Sequence, residues 1–211
     1  MIILATLAAG TLVSCGGGGK HEKPAAEPDN QPDWNGYYKV SPKELQDNFI
    51  ELIGDQWMLI TAGNSGSFNT MTASWGAMGN MWSRPAAFIF VRESRYTYQF
   101  LENSGSYTLS FYDEGYRRAM EIIGSRSGRD GDKVAEAGLT PMEMPAGNMA
   151  FAEARMIIEC DKMFAQPIDP ANLAGDYKPA ITGEAYTAET TKHVMFIGDI
   201  KSVWVKHLPV K

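Results

Sequence analysis

The sequence predicts a mainly β domain with peripheral helices, for three reasons. Short apolar runs of strand length are separated by clusters of Gly, Ser, Asn and Pro. Segments in which apolar residues recur at helical spacing are few and short. Strands and helices do not alternate regularly, as they do in a doubly wound parallel sheet, so we do not expect that fold class.

The first element expected in the folded part is a helix that begins near Ser41. Ser41 is a suitable N-cap, Pro42 fits the first helical position, and Glu44 can reach back to the cap. Apolar residues then recur at helical spacing until Gly54, which favours the end of a helix. One continuous helix is therefore predicted between Ser41 and Gly54.

The later elements follow from apolar patterning and from turn residues. Residues 63–69 are rich in Gly, Ser and Asn and predict a turn between the first two strands. Helical spacing predicts two more helices, at 98–103 and 114–123. The predicted strands are 57–62, 71–75, 86–91, 107–112, 150–165 and 193–206.

Composition limits the class of protein. The chain has 211 residues, which suits one domain plus an N-terminal extension. With 44% apolar and 21% charged residues, it has the composition of a globular protein. The net charge of -6 argues against a nucleic-acid partner, because such affinity comes largely from Lys and Arg that neutralise phosphates.

The N-terminus predicts export and a lipid anchor. Residues 2–13 are mostly apolar and too short to span a bilayer as a helix, so they suit an export signal. The signal ends in Leu-Val-Ser-Cys at 12–15, which resembles the bacterial lipobox and predicts lipidation of Cys15. The alternative is a fortuitous apolar N-terminus with a free cysteine. A lipidated Cys15 would leave only Cys160, and hence no intramolecular disulfide.

These features predict three segments. Residues 1–15 are the lipoprotein signal peptide, residues 16–34 are a flexible tether, and residues 35–211 are the folded domain. The tether is rich in Gly and in charged residues, so it cannot bury enough apolar surface to fold. We expect an exported protein on the periplasmic side of a bacterial envelope, at the outer membrane, with membrane contact only through the lipid.

Several common site types are absent from the sequence. There is no HExxH, CxxC or P-loop pattern, and the three histidines His21, His193 and His207 are scattered, so we expect no metal site. Cys160 lacks a nearby histidine and is a poor candidate for a nucleophile.

Three segments instead suit a phosphorylated planar ligand. Residues 69–76 combine small polar side chains with one aromatic, and small residues allow a ring to approach the backbone. Residues 94–97 end a predicted strand and open a helix, which provides free N–H groups beside an arginine for a phosphate. Residues 125–133 form a second basic, Gly-rich loop. The same segments could also be an ordinary strand, a helix cap and solvated surface.

A resemblance favours the ligand hypothesis. Seven stretches, in order and within about residues 45–206, resemble flavin reductase-like domains, and most of all their flavoredoxin branch. They are MTASWG at 71–76, RPAAFIFVR at 84–92, SRYT at 94–97, FY at 111–112, SRSGRD at 125–130, KVAEAGL at 133–139 and HVMFIGDI at 193–200.

The resemblance implies an antiparallel, Greek-key, FMN-binding split β-barrel of six strands, as a homodimer with FMN near the interface. It places Asn69, Ser74 and Trp75 at the flavin ring and Arg95 and Thr97 at the phosphate. It places Lys133 at the phosphate or beside the ring, and His193 near the reactive face as the catalytic candidate. The cofactor-binding candidates are Asn69, Met71, Thr72, Ser74, Trp75, Ser94, Arg95, Tyr96, Thr97, Ser127 and Lys133, although packing also explains Met71.

The implied function is that of an FMN-dependent oxidoreductase of the flavin reductase or flavoredoxin type. It would move electrons between the flavin and a small-molecule or protein partner, with NAD(P)H or a carrier as the donor. The alternative is a non-catalytic lipoprotein that binds or presents flavin. A long insertion between Ile158 and His193 could cover the flavin or the dimer interface.

Overall fold

An antiparallel sheet of eight strands forms the centre of the protein. It is seen in a computed structural model that describes residues 31–175 and 193–208. The predicted signal peptide, the lipidation site Cys15 and most of the predicted tether lie outside these residues. The compact unit that carries the sheet begins at Pro32.

Ten strands and four α-helices lie within residues 31–175 and 193–208. The strands are β1 (Tyr38–Val40), β2 (Met58–Asn64), β3 (Ser67–Ala73), β4 (Gly76–Met81), β5 (Arg84–Arg92), β6 (Ser106–Phe111), β7 (Pro141–Glu143), β8 (Met149–Phe151), β9 (Met156–Pro167) and β10 (His193–Val205). The helices are α1 (Phe49–Gly54), α2 (Tyr96–Asn103), α3 (Arg117–Ser125) and α4 (Lys133–Glu136).

The order of the strands requires the sheet to curl. The order is β3-β2-β6-β9-β10-β5-β4, with β1 added to β10, and β7 and β8 form a separate hairpin. Strands lie about 4.8 Å apart, so the ends of a flat sheet with this order would be roughly 29 Å apart. Only Ser74 and Trp75 connect the two end strands, and two residues span roughly 7 Å. The sheet therefore rolls into an open barrel whose split lies between β3 and β4.

Each face of the sheet packs a separate apolar cluster, because side chains alternate along a strand. Met58, Ile158 and Val203 belong to the first cluster, which also packs residues of α1 and α2. Their chain neighbours Leu59, Ile157 and Trp204 belong to the second cluster on the opposite face, which packs α3. Helices thus cover both faces next to β3, and this is where the split lies.

The mainly β, split-barrel prediction is confirmed, and most predicted elements are found within a few residues. The strands predicted at 57–62, 86–91, 107–112 and 193–206 correspond to β2, β5, β6 and β10. The turn predicted over 63–69 is shorter, because only Ser65 and Gly66 form it, and β3 already begins at Ser67. The predicted helices at 98–103 and 114–123 correspond to α2 and α3.

One continuous helix from Ser41 to Gly54 is a wrong prediction. The predicted capping box of Ser41 and Glu44 forms, but it starts only a short 3-10 turn, and Leu45 is extended with φ -65° and ψ 130°. The side chain of Asn48 then accepts a hydrogen bond from the N–H of Ile50 and starts α1. Asn favours a new cap over a helix interior, and this local competition splits the predicted helix.

Three predictions about the strands are also corrected. The strand predicted at 150–165 is two strands, β8 and β9, separated by a turn. Eight strands, rather than the implied six, form the sheet within the described residues. The insertion starts after Pro167, because β9 extends to that residue, and positions 176–192 of the insertion lie outside the described residues.

Gly198 in β10 lies where no side chain fits. A Cβ at this position would lie 2.5 Å from the Tyr107 hydroxyl oxygen and 2.7 Å from the Cβ of Cys160, both buried. We expect Gly198→Ala to lower the free energy of unfolding by roughly 1–3 kcal/mol, the usual cost of overpacking a core. Urea unfolding measures this change. Gly79→Ala on β4 is the control, because no atom lies within 4 Å of its Cβ. An equal loss in both variants would contradict the steric argument.

Candidate functional site

A cleft of about 120 Å³ lies at the split of the barrel. We call it the split cleft. Its lining comes from the end of β3, from the connection to β4, and from the end of β5 and the turn after it. The lining residues are Met71, Thr72, Ala73, Ser74, Trp75, Phe90, Arg92 and Arg95. Among the described residues, two guanidinium groups and no acidic side chain line it, so this part of the cleft suits a ligand with negative charge.

The connection between β3 and β4 carries the split cleft's most exposed large side chain. The Trp75 side chain is 44% exposed, while Ser74 beside it is half-buried. Within residues 31–175 and 193–208, the Ser74 hydroxyl has no hydrogen-bond partner. Among the described strands, β3 and β4 are the edges of the sheet, and each keeps one backbone edge that no other described strand pairs. These groups can bind the polar edge of a flat ligand.

A larger cleft of about 510 Å³ adjoins the split cleft and shares Thr72, Ala73 and Ser74 with it. Its other lining residues are Trp57, Arg118, Met120, Glu121, Gly124 and Ser125. Thr72 is held in place because its hydroxyl donates a hydrogen bond to the carbonyl of Met120 in α3. The two clefts therefore form one groove over the end of β3, and this groove is larger than the split cleft alone.

Helix α2 presents its N-terminus beside the split cleft. Arg95 is the N-cap residue, and no side chain caps the helix. The Arg95 guanidinium donates a hydrogen bond from Nη1 to the carbonyl oxygen of Gly124 at 3.1 Å, which fixes it between α2 and α3. The positive end of a helix next to an arginine is a favourable place for a phosphate.

Asn69 and Thr97 connect β3 to this helix. Both are buried, and the Asn69 Nδ2 donates to the Thr97 Oγ1 at 2.7 Å. Gly128 packs so closely on this pair that a Cβ there would overlap the Asn69 Oδ1. The basic loop predicted at 125–133 is thereby held against the base of α2.

Lys133 is a buried cation at the end of that loop, at only 5% exposure. Its Nζ donates to the carbonyls of Ile123 and Arg126, both at 3.3 Å. Burial, followed by the positive charge of Arg95, lowers the pKa of Lys133 to about 8. The neighbouring Asp132 carboxylate accepts from N–H groups of α4 instead. No carboxylate among the described residues pairs with Lys133.

A third cleft, of about 500 Å³, connects Lys133 to Asn69. We call it the loop cleft. It is lined by Phe68, Asn69, Gly128, Gly131, Asp132, Lys133, Val134, Ala135, Leu139 and Pro141. Arg95 lines the split cleft and its charge also lowers the pKa of Lys133 in the loop cleft, so the two cations lie close enough to interact.

Comparison with known proteins identifies this arrangement. The sequence model of the flavin reductase like domain matches residues 52–209, more than half of the chain. The chain belongs to the flavin reductase-like family. None of the curated proteins shows significant sequence similarity to it.

Solved structures with a similar fold include members of this family from three bacteria. An FMN-binding domain of a flavin reductase-like enzyme from Shewanella baltica OS155 is 17% identical, with a TM-score of 0.57, over 81% of this chain and 77% of that one. Flavoredoxin of Desulfovibrio vulgaris (Miyazaki F) is 25% identical, with a TM-score of 0.53, over 71% and 68%. An FMN-binding protein from Thermus thermophilus is 18% identical, with a TM-score of 0.55, over 79% of each chain.

The family fold brings most of the predicted site residues together. Met71, Thr72, Ser74, Trp75 and Arg95 line the split cleft, and Asn69 and Lys133 line the loop cleft.

The other predicted residues line neither cleft. Thr97 is buried beneath Asn69, and Ser94 is exposed. The Tyr96 ring packs edge-on against Phe100 and under the Arg129 guanidinium. The Ser127 hydroxyl accepts from the N–H of Arg129. These contacts stabilise the loop and the helix that carry the cations.

Sequence reasoning missed Phe90 and Arg92 as lining residues. Both lie near the end of β5, within a stretch that was recognised as a strand and as part of the family resemblance but not as a source of site residues. The alternation of side chains along β5 could have indicated them, because Phe90 and Arg92 share the face opposite to buried Ile89 and Val91.

The described residues contain no group of three or more His, Cys, Asp or Glu side chains arranged to hold a metal ion. No helix among them is long and apolar enough to cross a membrane.

Proposed function

We propose that this chain binds FMN at the split of its barrel and works as an FMN-dependent oxidoreductase of the flavin reductase or flavoredoxin type. The observation that carries the proposal is buried Lys133, which has no carboxylate partner among the described residues and lies next to the Arg95 charge. A cation that is buried beside a second positive charge is costly unless a ligand supplies negative charge. A phosphate supplies it.

The site residues fit FMN at both of its ends. Arg95, Lys133 and the uncapped N-terminus of α2 would hold the phosphate. Ser74 and the backbone edges at the split would bind the polar edge of the isoalloxazine ring, and Trp75 would lie against it. The cleft that adjoins the split cleft over the end of β3 has a volume of about 510 Å³, which leaves room for the ring system.

Bound FMN would supply the electron-accepting ring for the redox step. The chain supplies the electrostatics. Arg92 and Arg95 create a positive potential in the split cleft, and this potential stabilises added negative charge.

The proteins with similar structures support this proposal. They include FMN-binding proteins and a flavoredoxin, and the flavoredoxin of D. vulgaris is 25% identical to this chain. We infer a small-molecule or protein electron partner, with NAD(P)H or a carrier as the donor. A homodimer and a lipid-anchored position in the bacterial envelope, through Cys15, remain parts of the proposal that rest on sequence.

The proposal is tested first by colour and then by reduction. We expect the purified protein to retain yellow FMN or to take it up stoichiometrically. We also expect a donor to bleach the bound FMN faster than it bleaches free FMN. A yellow protein that no donor bleaches faster than free FMN would instead indicate a flavin-binding or flavin-presenting protein.

Lys133 predicts how FMN affinity depends on pH. With a pKa of about 8 in the cofactor-free protein, Lys133 is mostly charged at about pH 7 and mostly neutral at about pH 9. The phosphate stays fully ionised over this range, because its second pKa is about 6. Binding above pH 8 must therefore take up a proton, and we expect the Kd for FMN to rise by about tenfold from pH 7 to pH 9.

Fluorescence titrations with FMN and with riboflavin, which has no phosphate, measure this effect. Riboflavin affinity should change little over the same range, because its binding does not involve Lys133. A parallel weakening of both ligands would place the titrating group at the ring instead of the phosphate.

A further inference from the structure

His193 lies behind the wall of the split cleft and does not line it. It is 2% exposed and is the first residue of β10. It pairs in register with Arg92, the last residue of β5, so the two side chains share one face of the sheet. Arg92 does line the cleft. His193 therefore supports a lining residue from behind.

The hydrogen bond between the two residues determines where the imidazole carries its proton. The Arg92 Nε donates to the His193 Nε2 at 3.2 Å. A guanidinium N–H can only donate, so the Nε2 must accept and carries no proton. A neutral imidazole has one N–H, which is then at Nδ1. The structure therefore assigns His193 the neutral tautomer protonated on Nδ1.

His193 also supports the aromatic residue of the cleft. The centroids of the His193 and Trp75 rings lie 5.2 Å apart, with planes tilted by 43°. Trp75 is 44% exposed, so more than half of its surface is covered within the fold. One buried imidazole thus contacts both the cation and the aromatic ring at this end of the split cleft.

We propose that His193 is a positioning residue and that Arg92 is the cleft residue it positions. As a neutral acceptor, His193 orients the Arg92 guanidinium and packs under the Trp75 ring, so that both face the ligand. This differs from the catalytic role near the reactive face that the family resemblance implies. The role toward FMN rests on the proposed function, but the assignment of the tautomer does not.

Nitrogen NMR of histidine-labelled protein without cofactor tests the assignment directly. At about pH 7 we expect His193 to show one protonated nitrogen, Nδ1, and one unprotonated nitrogen, Nε2. Exposed His207 in the same spectrum serves as a reference for an unconstrained ring. A His193 that is protonated on Nε2, or on both nitrogens, would overturn the proposal.

Arg92→Gln tests the cause of this tautomer. We expect the share of the Nδ1-protonated tautomer of His193 to fall. Arg84→Gln is the matched control, because Arg84 lies at the other end of β5 and pairs with Asp199. The control should leave the His193 signals unchanged. An unchanged spectrum in Arg92→Gln would show that another group sets the tautomer and would overturn the role given to Arg92.

Two variants of His193 separate positioning from proton transfer. Gln can present an acceptor near the position of Nε2 but cannot transfer a proton at neutral pH. We expect His193→Gln to retain the wild-type FMN affinity and reduction rate. His193→Ala should weaken FMN by about tenfold, the size of one lost hydrogen bond to a charged group. The contrary result is a His193→Gln variant that binds FMN normally while its bound FMN is reduced as slowly as in His193→Ala. That result would show that a proton-carrying imidazole is required, and the proposal would fail.

Failure of the proposed function would look different. If the wild-type protein takes up no FMN, the affinity comparison does not apply, and the tautomer measured in the cofactor-free protein still decides whether Arg92 holds a neutral His193. If the His193 variants do not fold, the same spectrum of the wild type and of Arg92→Gln gives the answer.

Discussion

Lys133→Met is expected to weaken FMN by roughly 10- to 100-fold, the size of one buried charge-assisted hydrogen bond to a phosphate. Riboflavin affinity should stay near the wild-type value, because it has no phosphate to lose contact with. The reason is the location of Lys133, which is buried beside Arg95 without a carboxylate partner among the described residues. Titrations of the two flavins at about pH 7 measure the difference.

The same substitution should stabilise the cofactor-free protein. Burial and the Arg95 charge lower the pKa of Lys133 from 10.5 to about 8, so the charged amine destabilises the folded state. The full destabilisation of the folded state by charged Lys133 applies below about pH 8. It disappears above about pH 10.5, where Lys133 of the unfolded chain also loses its proton. After the loss of two carbonyl contacts, we expect a net gain of about 1–2 kcal/mol at pH 7.

Urea unfolding without flavin measures this gain, and Lys43→Met is the control because Lys43 is exposed. The control should change neither stability nor flavin affinity. A Lys133 variant that is less stable and that loses FMN and riboflavin equally would show that the lysine supports the fold rather than the ligand. A gain in stability with a loss of FMN would show that function maintains this buried charge.

The parts of the fold that the sequence predicted are those determined by local patterns. The apolar alternation of 107–112 predicted β6, and the helical spacing at 98–103 predicted α2. β4 was missed because its six residues include two glycines and no β-branched side chain. It forms because β5 pairs with it, and no local pattern reports that pairing.

The same distinction between local patterns and tertiary contacts applies to the site, where residues far apart in sequence come together. Small residues at 72–74 predicted a ring platform, but the split exists only because β3 and β4 end at opposite edges of a curled sheet. Arg92 and His193 are 101 positions apart and meet through strand register. The burial of Lys133 depends on how closely its loop approaches Asn69. A sequence pattern can indicate these residue types, but burial and pairing come from the tertiary structure.

That approach of the loop depends on Gly128, and Gly128→Ala is expected to disrupt it. A methyl group there would overlap the Asn69 Oδ1 and lie 3.2 Å from the Tyr96 ring. Asn69 cannot easily rotate away, since it is buried and donates to Thr97. The loop must therefore withdraw, and Lys133 moves with it.

We expect Gly128→Ala to lower the free energy of unfolding by roughly 1–3 kcal/mol and to weaken FMN by about tenfold or more. Gly131→Ala is the matched control, because Gly131 lies in the same loop and no atom lies within 4 Å of its Cβ. Urea unfolding and FMN titration of both variants measure the two effects. If Gly128→Ala binds FMN as tightly as Gly131→Ala does, the position of the loop against Asn69 does not set the phosphate affinity, and Arg95 with the N-terminus of α2 must hold the phosphate without Lys133.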